Sequence, residues 1–124
     1  MNQSDLANIR LLVKNNAFGV TFHAQQQMFD RNIEYDDIEN VLTSSTNQLI
    51  ESQSPSQTPG MEHKDERFLI FDPQYHKEII VIGVVVFVAG QVPDIQIVTV
   101  EYADPKKWKK IPGANPSLVR IKGL

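Results

Sequence analysis

The 124-residue sequence predicts an α+β fold: N-terminal helices packed on one face of a C-terminal, mainly antiparallel four-stranded sheet. Three observations carry that expectation. Apolar residues recur at helical spacing up to about residue 44, β-branched runs take over after Asn47, and the strand connections are short enough for hairpins.

Taken in order, Ser4 is the expected N-cap of a first helix over 5–17. Leu6, Ile9, Leu12 and Val13 form its apolar stripe, and Gly19 is its stop signal. Thr21 caps a second helix over 22–31. On it Phe22, Ala24, Met28 and Phe29 are placed on one side, with His23, Gln27, Asp30 and Arg31 opposite. A third helix over 35–44 buries Ile38, Val41 and Leu42.

Residues 47–52 are a short strand, and 52–66, rich in Ser, Gln and Pro, form a loop expected to be mobile. RFLIFD (67–72), EIIVIGVVVFV (78–88) and IQIVTVEY (95–102) are strands by β-branched content. The connections PQYHK and AGQVPD suit antiparallel hairpins. The second of these strands is apolar on both faces, which places it mid-sheet under the helices. Asp104-Pro105 ends the last strand, and Trp108 is expected to bury its ring against the helices. The chain reads as a single domain, 1–124, with a core over about 5–108 and a basic tail over 105–124.

The net charge of −3 conceals an asymmetry. Residues 105–124 hold six cations (Lys106, Lys107, Lys109, Lys110, Arg120 and Lys122) and no acid. The remainder then carries six basic against 15 acidic residues, a balance of −9. Such a body repels phosphate backbones, while the basic end can hold one. No apolar run is long enough to span a membrane, the N-terminus has no signal-peptide pattern, and there is no cysteine. A cytoplasmic protein without a membrane anchor is the expectation.

Two stretches, IRLLVKNNAFGVTFHAQQQMFDRNIEYDDIENVL and IVTVEYADPKKW, together resemble the DUF4258 family of small bacterial domains. The positions carrying the resemblance run from Thr21, His23, Ala24, Met28 and Arg31 through Ile33, Asp37 and Ile38. They resume at Thr99, Val100 and Tyr102 and close with Asp104, Pro105 and Trp108. The family's Glu-Arg-Gly is replaced here by Asp30-Arg31-Asn32, and Asn tolerates the left-handed turn that glycine supplies. The family's helix-then-sheet order is similar to RelE-like and motility-quorum-sensing-regulator-type mRNA interferase toxins. That likeness implies a metal-independent endoribonuclease of a toxin–antitoxin system, with an antitoxin as partner and RNA as substrate.

Such chemistry needs a base for the ribose 2′-hydroxyl, an acid for the leaving oxygen, and cations for the developing charge. His23, Arg31 and Tyr102 are the candidate catalytic residues; Arg67, Lys106, Lys107, Lys109 and Lys110 are the candidate RNA-binding ones. His63 and Lys64 belong to a charged run entering a strand. The pattern calls for no metal and no cofactor. Each candidate has a plainer reading. His23 can be a helix-start anchor, Arg31 can pair with Asp37, and KKWKK can be a solvated turn. A non-catalytic protein-binding or regulatory module, its acidic helical face meeting a protein partner, is therefore the second reading. Acidity favours it, and the family likeness favours the first.

Overall fold

The switch in period near Asn47 divides the chain as expected, except that one short strand lies among the helices. The structure, a computed structural model, describes residues 5–57, 59, 65–87 and 89–122. Ser4, His63, Lys64 and much of the loop expected to be mobile lie outside the described residues. Among the described residues no helix is long and apolar enough to cross a membrane.

Helix α1 (Asp5–Lys14) buries Leu6, Ile9 and Val13, the core face of its stripe. It ends earlier than expected, and Asn16 turns the chain at φ +60. The residues released form strand β1 (Phe18–Val20), so Gly19 is a strand residue rather than a helix stop. A Cβ on Gly19 would lie 3.1 Å from the Gln96 side chain on the neighbouring strand. Helix α2 (Phe22–Arg31) opens where Thr21 Oγ1 accepts the Ala24 amide at 3.2 Å. It closes at Asn32, left-handed at φ 54 and ψ 45, as the Asn-for-Gly replacement requires. Helix α3 (Tyr35–Thr43) buries Ile38, Val41 and Leu42.

The main sheet has five strands where four were expected. Strands β2 (Gln48–Gln53), β3 (Arg67–Phe71), β4 (Ile79–Val86) and β5 (Asp94–Tyr102) are antiparallel neighbours. Strand β1 adds to β5 in parallel, giving the order β1-β5-β4-β3-β2 and a mixed sheet. Three residues with a central glycine are too few to show strand periodicity, which is why β1 escaped the pattern. The expected tail folds as well. Strands β6 (Trp108–Lys110) and β7 (Leu118–Arg120) pair as a separate two-stranded sheet.

Alternation along β3 and β4 splits the core in two. Phe68, Ile70, Ile79 and Val81 face the helices with Leu6, Ile9, Ala24 and Ile38. Leu69, Phe71, Ile80 and Ile82 face the other way, against Trp108 and Leu118. Strand β4 is apolar on both sides because both sides are covered. Trp108 is buried, as expected, but on the face opposite the helices.

The expected facing of α2 also needs correction. Ala24 is buried and Met28 packs on the core, but Phe22 and Phe29 are 76% and 89% exposed. Gln27 and Arg31 are turned toward β5 instead. Ala24 and Met28 on the core and Gln27 and Arg31 on the strand edge together set the helix's rotation.

Candidate functional site

Strand β5 borrows a partner for only part of its length. Strand β1 pairs with it from Ile95 to Ile97 and then stops. The Thr21 amide still donates to the Ile97 carbonyl at 3.0 Å, but beyond that point no strand among the described residues continues the ladder. An edge left this way invites pairing with other chains. Two side chains of α2, four residues apart and so on one helix face, complete it. Gln27 Oε1 accepts the Val100 amide at 2.9 Å, and Arg31 Nη1 donates to the Val100 carbonyl. Tyr102 closes the line, its hydroxyl donating to the Arg31 carbonyl at 2.9 Å.

His23 continues this spacing one turn toward the helix start. Its Nε2 lies 3.0 Å from Gln27 Nε2 on the exposed side of the helix. Because Gln27 Oε1 is engaged by the Val100 amide, the side-chain amide presents its NH₂ group to the imidazole. His23 Nε2 therefore accepts, and the neutral ring carries its proton on Nδ1. His23, Gln27, Arg31 and Tyr102 form one chain of hydrogen bonds along the β5 edge.

A second polar centre adjoins it where α2 gives way to α3. Asp37, 5% exposed, receives the Tyr75 hydroxyl at 2.5 Å, Lys77 Nζ at 2.7 Å and the Glu34 amide at 2.8 Å. Lys77 also donates to the Asn32 carbonyl at 3.1 Å. Burial works against the Asp37 charge, yet the bonds from Lys77, Tyr75 and Glu34 outweigh it and hold the carboxyl below its ordinary range. Burial and the bond to Asp37 push Tyr75 up, and Lys77's own bond to Asp37 raises Lys77. Asp37 thus pairs with Lys77, not with Arg31 as the sequence suggested. Two of these contacts, from Tyr75 and Lys77, clamp the β3–β4 turn onto the start of α3, and the Glu34 amide closes the helix's own cap.

The candidate RNA-binding cations do not gather around His23. Lys106 and Lys107 sit in the turn before β6, and Lys109 and Lys110 lie on β6, whose Trp108 packs on the sheet face away from α2. Lys110 is held by Glu78. Arg67 starts β3, on the side shared with Leu69, and its Nε is buried with no hydrogen-bond partner among the described residues. Arg120 binds Glu51 at 2.9 Å and stacks 4.5 Å over the Trp108 ring. Burial works against the Glu51 charge, yet the bonds from Arg120 and Gln53 outweigh it and draw the carboxyl down, while the bond to Glu51 raises the guanidinium.

The structure therefore joins two of the sequence's candidates, Arg31 and Tyr102, to His23 through Gln27, and leaves the lysines elsewhere. Gln27 had a legible signal, its position midway between His23 and Arg31 at four-residue spacing. Tyr75 and Lys77 had none: they lie in a hairpin connection, 38 and 40 residues from the carboxylate they hold.

The family described as Domain of unknown function (DUF4258) matches residues 20–102, which span α2, α3, the edge contacts and the Asp37 centre. No curated protein and no solved structure matches the chain. The RelE-like likeness expected from element order gains no support from these comparisons.

Proposed function

The chain belongs to the DUF4258 family, and on that premise we propose that it is a non-catalytic protein-binding module, working in the cytoplasm, whose motif residues hold the scaffold together. The observation that carries the reading is the shared Val100 edge. Arg31 is committed to a backbone carbonyl, Gln27 to the matching amide, and the Tyr102 hydroxyl to the Arg31 carbonyl. A phosphate clamp needs a guanidinium aimed at solvent, and a general acid needs a proton free to leave. Neither condition suits these two residues as they stand.

His23 has the chemistry of a general base, but its neighbour through Nε2 is a neutral amide, not an orienting carboxylate. The lysines that could draw RNA lie across the sheet. The acidic body and large exposed apolar side chains, Leu11, Phe22, Phe29 and Phe87 among them, suit a surface that meets protein.

The test is direct. Purified wild-type protein, incubated with total RNA in the presence of a chelator, should leave it intact, and induced expression should not slow growth. RNA cleavage abolished by His23→Ala, in a variant that melts like the wild type, would overturn the reading in favour of a toxin-like ribonuclease.

A further inference from the structure

Away from the β5 edge, α1 and the far ends of β4 and β5 enclose an open cavity of about 580 Å³. Its walls are largely apolar: Leu11 and Leu12 from α1, Val85 and Phe87 from β4 and its end, and Pro93 before β5. Leu11 is 58% and Phe87 76% exposed, so the groove shows large side chains to solvent that the core does not use. The charges at its margin have one sign. Asp5, Asp65 and Glu66 line it, each already engaged within the chain, and no lysine or arginine does among the described residues.

We propose that this groove docks an amphipathic helix of a protein partner whose flanks are basic, a refinement that rests on the binding-module reading. A helix lays apolar anchors at i, i+3, i+4 and i+7 into such a groove, while flanking lysines and arginines meet an acidic rim. The like sign of the rim disfavours acidic helices and anionic lipid surfaces alike. The basic hairpin of this chain sits against the other sheet face and leaves the groove to an external partner.

The experiment uses the full chain and three fluorescein-labelled peptides of about 18 residues, a length that places apolar anchors along one helix face. One carries leucines at helical spacing among lysines and alanines. The second has the same composition scrambled, and the third has glutamate for every lysine. Fluorescence anisotropy should show the striped basic peptide binding at least about tenfold tighter than either control and weakening from about 50 to about 300 mM salt. Leu11→Ser and Phe87→Ser, both at exposed positions, should each weaken it about tenfold or more while leaving thermal unfolding unchanged. The double variant Asp65→Lys, Glu66→Lys should shift the preference toward the glutamate peptide.

Equal binding of striped and scrambled peptides, or binding indifferent to Leu11→Ser and Phe87→Ser, would overturn the proposal. Striped-peptide binding lost in Phe22→Ser or Phe29→Ser instead would move the surface to α2, sinking the groove while sparing the binding-module reading. RNA cleavage that depends on His23 would sink the reading itself, whatever the peptides do.

Discussion

The two faces of the main sheet are covered by very different amounts of chain. Three helices lie on one face, meeting it through a broad apolar cluster and the Asp37 centre. The other is closed by two three-residue strands that hold on through Trp108, Leu118, the hydrogen bonds of Gln48 with Ala114 and Ser117, and rim ion pairs. Yet β4 buries Ile79 and Val81 on one side as completely as Ile80 on the other. On the helix face security is spread over many side chains, so no single one dominates. On the hairpin face it is concentrated in a few groups, of which the Trp108 ring is the largest.

That contrast places the largest expected effect at Trp108. Trp108→Ala should cost about 3–5 kcal/mol, measured by urea denaturation, because the largest buried side chain docking the hairpin is lost. Removing the neighbouring ion pair is a much weaker intervention. Lys110→Ala should cost about 0–1 kcal/mol, since both partners are more than half exposed. A loss under about 1 kcal/mol for Trp108→Ala would erase the contrast between the faces.

The helix face has one polar point of concentration, Asp37. Asp37→Ala should cost about 2–3 kcal/mol, because the hydroxyl of Tyr75 and the ammonium of Lys77 lose a shared acceptor. The pH dependence has two signs. The folded carboxyl is lowered, so its contribution is present above the ordinary carboxylate pKa of about 4 and lost as pH falls through the folded value. Lys77 is raised, so its share is present below its ordinary value and lost as pH rises through the raised one. Melting temperatures across acid pH should fall less steeply for Asp37→Asn than for the wild type.

Much of this architecture was legible because it is local. Helical spacing located α2 within its observed bounds, Thr21 and Asn32 marked its ends, and the two-sided apolar run placed β4 at mid-sheet. What escaped depends on distant partners. Strand β1 exists because β5 needs a neighbour, and Phe18–Val20 alone gives no strand signal. Phe22 and Phe29 face solvent because Gln27 and Arg31 must reach Val100, about seventy residues on. The hairpin at the C-terminus looked like a charged tail because only Trp108 and Leu118 of its strands are buried. For the site, residue types were visible but commitments were not: Tyr102 bonds the Arg31 carbonyl and Arg31 the Val100 carbonyl, pairings that no local pattern announces.

The β5 edge brings the comparison down to a single helix, where Gln27 and Arg31, four and eight positions after His23, differ from it in what depends on them. Arg31→Ala should cost about 1–2 kcal/mol by thermal or urea unfolding, since the Val100 carbonyl loses a charged donor at a strand edge. Gln27→Ala removes the matching acceptor, and the two losses should combine non-additively because both serve Val100.

The smallest effect belongs to His23. Its ring is exposed, and its one hydrogen bond among the described residues is to a side chain that is itself fixed by Val100. Taking the imidazole away leaves the Gln27 NH₂ group facing water, which replaces the lost acceptor at little cost. His23→Ala should therefore change stability by less than about 0.5 kcal/mol. A histidine that earned its place as an anchor would give a loss comparable to Arg31→Ala, and unfolding of the two variants side by side separates these cases.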